Sequence, residues 1–242
     1  MDAVGVIPAR FGSTRFPGKP LAPILGEPMV VHVVRRVQEA GCFAAVAVAT
    51  DDERIAAVAR GAGATVVMTG EAASGTDRVA QAARSLDATV VVNVQGDEPA
   101  LPPESLRRLV GFLLAQPSVP MATLALPATA ADLANPTVVK VVCDAAGRAL
   151  YFSRSVIPYP RQPVPGIHRK HVGLYGFQRE ALLAFAAWPE CELERCEGLE
   201  QLRALYHGMA IQVLDAAGES VAVDVPEDIP RAEAALLKMG KG

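Results

Sequence analysis

Apolar residues gather in short runs along this chain, separated by longer stretches where they recur every three or four positions. Four of the runs, Val4–Ile7, Phe43–Thr50, Ala64–Met68 and Thr89–Val94, are rich in valine and alanine without clean alternation. Strands buried on both faces of a parallel sheet have this character. The segments between them read as helices. One starts at Pro28 and runs to Glu39, closed by Gly41. The next is capped by Asp51 or Asp52 and ends near Gly61 and Gly63. A third opens at Ser74-Gly75-Thr76-Asp77-Arg78 and continues through Leu86, and Pro103 to Leu114 forms a fourth. Strands alternating with helices predict an α/β fold built from right-handed crossovers.

No element is assigned over 115–125, and from about Leu126 the pattern changes. Asn135 to Val142 leads into a strand, Asp144 to Gly147 reads as a turn, and Ala149 to Phe152 is its hairpin partner. Ser155 to Gly166 is proline-rich and irregular. His171 to Phe177 is a further strand, followed by a short helix over Arg179–Ala186 and a polar helix from about Leu193 to His207. No flexible linker isolates this part. The chain is therefore expected to be one domain over 1–242, with a sub-lobe over roughly 127–207 inserted in the main sheet. Ile211–Leu214 and Val221–Val223 read as late strands, the second delivering Asp224, and Pro226 starts a terminal helix that runs to about Lys238.

Composition narrows the partners. Of the 242 residues 51% are hydrophobic, ample for a large core, and the net charge of −3 argues against a general nucleic-acid-binding surface. Four cysteines with no Cys-x-x-Cys pair support neither structural zinc nor a disulfide framework. With no long apolar run and no basic leader, the expectation is a soluble protein of a reducing, cytoplasmic setting with no membrane partner.

The chemistry concentrates at the ends of the strands. Val4–Ile7 empties into a loop holding Arg10, Arg15 and Lys19, punctuated by Gly12 and Gly18, with no carboxylate among them. Such a loop can cradle phosphates. It is not a Walker A loop: five residues separate Gly12 from Gly18, and Pro20 follows Lys19. No Gly-x-Gly-x-x-Gly supports a dinucleotide fold either. Thr89–Val94 ends in Gln95-Gly96-Asp97-Glu98-Pro99. In an open parallel sheet ligands sit beyond the C-terminal strand ends, and a carboxylate delivered there suits Mg²⁺, which prefers oxygen ligands. Asp97 is therefore the candidate ligand, and Glu98 is expected to be a solvated turn residue. Ser74 or Thr76 caps a helix and can also face a ligand. Asp224 reads locally as a helix cap.

The stretch Ala9–Leu21 resembles the N-terminal signature of the 3-deoxy-manno-octulosonate (Kdo) cytidylyltransferases, the CMP-Kdo synthetases: Ala-Arg-aromatic-x-Ser-x-Arg-x-Pro-Gly-Lys-Pro-Leu. Further similar segments follow in the same order: Ala49–Asp52, Ser74–Arg78, Val91–Pro99, Val138–Arg154, His171–Phe177, Leu199–Leu205 and Val223–Asp228. The resemblance implies a nucleotidyltransferase-type three-layer sandwich with a mostly parallel sheet and a β-containing element used to form a homodimer. It implies transfer of CMP from CTP to Kdo, with release of pyrophosphate, for lipopolysaccharide assembly. By resemblance Asp97 and Asp224 hold Mg²⁺. Arg10 and Lys19 grip the triphosphate with Ser13 and backbone amides such as that of Ala9, and Ser74, Thr76 and Arg78 lie near the cytidine. Gln95, Arg154, His171, Tyr175, Glu200 and Gln201 fall to Kdo, Arg154 as partner of its carboxylate. The alternative is a cytidylyltransferase for a sialic acid or an amino-Kdo. The Pro17–Pro20 run and the Arg154/His171 pair favour Kdo over sialic acids. Retention of both aspartates argues against a silent binding module.

Overall fold

A computed structural model describes residues 2–12 and 16–239, so Ser13 and Arg15 lie outside the described residues. In chain order the elements are β1 (Ala3–Ala9), β2 (Pro23–Ile24), β3 (Glu27–Pro28), α1 (Met29–Glu39), β4 (Ala45–Thr50), α2 (Glu53–Gly61), β5 (Thr65–Met68), α3 (Gly75–Ala83), β6 (Val90–Asn93), α4 (Pro103–Ala115), β7 (Met121–Pro127) and α5 (Ala130–Ala134). They continue with β8 (Lys140–Cys143), β9 (Ala149–Ser153), β10 (Arg169–Gln178), α6 (Arg179–Ala187), α7 (Glu192–Glu197), α8 (Gln201–Tyr206), β11 (Ile211–Asp215) and α9 (Ile229–Met239).

The main sheet runs β11-β7-β10-β6-β1-β4-β5. Its β6, β1, β4 and β5 are mutually parallel, as are β7 and β11, and β10 is antiparallel to both neighbours. Alternation along β1 divides the core. Ala3, Ile7 and Ala9 face one layer with Val33, Val37, Leu106 and Leu109 of α1 and α4, whereas Val4 and Val6 face the other with Val79, Leu182 and Leu202 of α3, α6 and α8. This is the expected three-layer α/β sandwich.

Four assignments change. Strand β7 falls mostly in the unassigned stretch: its Met-Ala-Thr-Leu-Ala-Leu run consists largely of good helix formers, and pairing on both sides by β10 and β11 overrides that preference. Of the segment 127–207, β10 lies in the middle of the main sheet, and α6 and α8 pack on its face. The β8–β9 hairpin stands off that strand order, joined to it where β8 pairs with β10. The single polar helix expected over Leu193–His207 is two helices, because Gly198, at φ 62°, turns the chain between them. Arg203 then ties the halves together through two hydrogen bonds to the buried Glu194 carboxylate, of 2.8 and 2.6 Å. Residues 221–223 form no strand, yet the Val223 amide is bonded to the Asp97 carbonyl, so Asp224 is brought beside Asp97 without one. No helix among the described residues is long and apolar enough to cross a membrane.

Candidate active site

The ends of β1 and β6 and the start of α3 enclose a cavity of about 280 Å³. Ala9, Arg10 and Lys19 line it from the first loop, Ser74, Gly75 and Arg78 from α3, and Gln95, Gly96, Asp97 and Asp224 from the opposite wall. The two aspartates, 127 positions apart in sequence, converge on one cation: the Lys19 Nζ lies 2.6 Å from Asp97 Oδ2 and 3.8 Å from Asp224 Oδ1. The same ammonium donates to the Val223 carbonyl at 3.0 Å, and the Val223 amide donates to the Asp97 carbonyl at 2.9 Å. A backbone bond therefore clamps the two aspartate-bearing segments together.

Asp224 does not cap a helix. The Asp228 carboxylate accepts from the Asp224 and Val225 amides at 2.9 and 3.2 Å, which leaves the Asp224 carboxylate turned toward Lys19. Ser74 is the cap of α3, accepting from the Asp77 amide at 3.1 Å, and it lines the same cavity. The Arg78 guanidinium, almost fully buried, is held by Asp51 at 2.7 Å and by Thr69, so it acts as a strut in the cavity wall.

Thr76 departs from its expected place near the nucleotide. It is buried and does not line the first cavity. Its hydroxyl accepts from Asn93 Nδ2 at 2.9 Å and donates to Glu200 Oε1 at 2.6 Å. Asn93, fully buried on β6 with its Oδ1 unpartnered, was not singled out from the sequence. The signal was available, since an amide inside a run of valines needs a partner.

A second cavity of about 520 Å³ adjoins the first, with Gln95 in the wall of both. His171, Tyr175, Glu200 and Gln201 line it together. The Tyr175 hydroxyl donates to Gln201 Oε1 at 3.0 Å, and Gln201 Nε2 is buried with no partner. Burial holds His171 down to about 3, so its ring is neutral at physiological pH. Thr123 Oγ1 lies 2.8 Å from His171 Nε2 and donates its own proton to the Leu174 carbonyl. Burial also raises Glu200, against the Thr76 hydroxyl and the Arg203 charge.

Two expectations fail here. Glu98 is not solvated. It lines the second cavity, where desolvation pushes its carboxyl up to about 7, assisted by the Asp97 charge. Arg154 does not point into that cavity. Its guanidinium donates to the backbone carbonyls of Glu197 (2.7 Å), Pro136 (3.3 Å) and Gly198 (3.4 Å), bracing the turn that separates α7 from α8. A guanidinium spent on three carbonyls is not poised for a ligand carboxylate.

Among the described residues no group of three or more His, Cys, Asp or Glu side chains could hold a metal ion. Two carboxylates meeting at one cation still suit Mg²⁺, which commonly takes one or two protein carboxylates and completes its shell with water and substrate phosphates.

A cytidylyltransferase family model matches residues 4–211. A 3-deoxy-manno-octulosonate cytidylyltransferase from an Anaeromyxobacter species is 53% identical, covering 96% of this chain and 95% of that protein. One from Myxococcus xanthus is 51% identical over 98% and 97% of the two chains. A solved structure of CMP:2-keto-3-deoxy-manno-octonic acid synthetase complexed with CTP superposes with a TM-score of 0.94 at 39% identity, covering 99% of this chain and 100% of that one.

Proposed function

We infer, from the premise that this chain belongs to the 3-deoxy-manno-octulosonate cytidylyltransferase family, that it transfers CMP from CTP to Kdo and releases pyrophosphate. The observation that carries the reading is the convergence of Asp97 and Asp224 on Lys19 in the wall of the first cavity, which shares Gln95 with the second. CTP occupies the smaller cavity in this reading, its triphosphate against Arg10, Lys19 and backbone amides of the first loop. Ser13 assists from outside the described residues. Kdo occupies the larger cavity, its hydroxyls against Gln95, His171, Tyr175, Glu200 and Gln201.

At phosphorus the reaction makes one bond and breaks one. The anomeric hydroxyl of the sugar attacks the α-phosphorus, its proton passes to water, and the bond from that phosphorus to the departing pyrophosphate breaks, the electron pair leaving with pyrophosphate. Lys19 and Arg10 offset charge on the phosphates. The network Asn93–Thr76–Glu200 and the neutral His171 orient the sugar, which lowers the entropy cost of bringing the two substrates into line. Asp97 and Asp224 are the residues that would hold Mg²⁺, and when bound that ion supplies charge neutralisation and a lowered hydroxyl pKa. A pyrophosphate-release assay with CTP, Mg²⁺ and Kdo, run beside UTP, ATP and a sialic acid, tests the reading. Turnover is expected with CTP and Kdo, and no release with any sugar acid would overturn it.

Dimerisation is part of the same proposal. It is supported by apolar side chains left open on β9 and the loop after it: Leu150 is 61%, Tyr159 84% and Val164 57% exposed. Sedimentation should give twice the chain mass for the native protein and a shift toward the single-chain mass for Leu150→Glu.

A further inference from the structure

The second cavity has to accept an anion, yet carboxylates dominate its charged lining. Glu98, Asp132, Glu200 and Glu219 all face it. His171 is neutral and Arg154 is engaged elsewhere, so Lys170 is the one cation among the described residues that line it. Nothing in the sequence pattern marked Lys170.

Lys170 is built into rigid structure. It lies on β10 where three strands meet, opposite Leu126 of β7 and Lys140 of β8. Its Nζ has two acidic partners of different kinds. Asp132, 3.1 Å away, is 16% exposed and already committed, because the same carboxylate accepts from the Thr129 amide and hydroxyl at 2.8 and 2.7 Å to cap α5. Glu219, also bonded to Nζ, is 69% exposed and sits outside any helix or strand. Two carboxylates on one ammonium leave a net negative cluster, so an incoming carboxylate gains from the cation only if one partner gives way. The exposed partner is the one that can leave, since solvent stabilises its released charge.

We propose that Lys170 anchors the carboxylate of the sugar acid, which takes the place of Glu219 on the Lys170 ammonium. The proposal rests on the sugar-acid reading of the second cavity. It assigns selection of acids over neutral sugars to an exchange of one carboxylate for another on a fixed cation. Asp132 keeps Nζ in position throughout, and Glu219 sets how much the substrate must gain to enter.

The test compares an acid with its neutral twin. The 2-deoxy analogue of Kdo lacks the attacking hydroxyl and so binds without reacting, and its carboxamide removes only the charge. Dissociation constants for both, read by calorimetry, and KM for Kdo and CTP are measured on the wild type, Lys170→Met and Glu219→Gln. The wild type should prefer the acid by at least about tenfold. Lys170→Met should raise KM for Kdo about 10- to 100-fold, the range lost with a hydrogen bond to a charged group. It should erase the acid preference and leave KM for CTP within about twofold. Glu219→Gln should raise the acid-to-amide preference several-fold. A Lys170→Met enzyme that keeps the wild-type preference overturns the proposal. Should that variant fail to fold, Glu219→Gln decides: an unchanged preference overturns it and a raised one supports it. A wild type that releases no pyrophosphate with any sugar acid, yet prefers the acid over the amide through Lys170, would sink the transfer reading and leave this one standing.

Discussion

Replacing Asp97 by Asn is expected to lower the rate of pyrophosphate release by on the order of 10³-fold, the scale seen when a preorganised electrostatic partner is lost from an active site. CTP binding, read by calorimetry, should persist. The side chains are nearly isosteric, so the Asp97–Val223 backbone bond and the shape of the cavity survive. What is lost is one of the two negative charges that meet at Lys19, where Asp97 stands at 2.6 Å and Asp224 at 3.8 Å. With Asp97 neutral, the Lys19 ammonium is less compensated and holds phosphates at least as well, while the pair of carboxylates that suits a divalent cation is broken. Binding and turnover should therefore separate. A variant that keeps its rate within tenfold would show that Asp97 only positions Lys19, and the proposed metal-holding role would fall.

Gly96→Ala is expected to be the most damaging change that adds a single methyl group. A Cβ at Gly96 would sit 2.7 Å from the Pro8 carbonyl oxygen, nearer than real side chains come. That oxygen cannot yield, because Pro8 is held in the parallel ladder opposite Ala49. The loop from Gln95 to Asp97 must move instead. Gln95 faces both cavities, Asp97 faces Lys19, and the Asp97 carbonyl is bonded to Val223 beside Asp224, so a small displacement reaches every part of the site. A misplacement approaching 1 Å costs about 10²-fold in kcat/KM, and overpacking costs about 1–3 kcal/mol of stability. Steady-state pyrophosphate release and a denaturant melt measure the two. Gly111→Ala is the control: nothing lies within 4 Å of its added Cβ inside α4, so activity should hold and stability should rise slightly. Equal behaviour of the two variants would show that the close approach at Gly96 carries no function.

Local chemistry was enough to determine the frame. Valine-rich runs buried on both faces, capping residues such as Asp52 and Ser74, and the cation-bearing loop after β1 each follow from short-range preferences that the tertiary structure had no reason to override. Strand β7 is the counterexample, since its alanine and leucine residues favour helix and only pairing with β10 and β11 makes it a strand. The site divides along the same line. Arg10, Lys19 and Asp97 were legible because each stands at a strand end or in its loop, where an open sheet binds ligands. Asp224 read locally as a cap, and its turn toward Lys19 depends on Asp228 taking the backbone amides. Thr76, Arg154, Glu98 and Lys170 were beyond sequence reasoning for one physical reason. What a polar side chain does is set by which groups fold against it, and those named here lie 38 or more positions away in the chain: Glu200 for Thr76, Glu197 for Arg154, Ser220 in the same cavity wall for Glu98, and Asp132 and Glu219 for Lys170. The chain alone determined that a sheet would present cations and a carboxylate at one edge. Folding decided which of those groups stay open to a ligand and which are spent on the protein itself, because that competition is resolved only when distant segments meet.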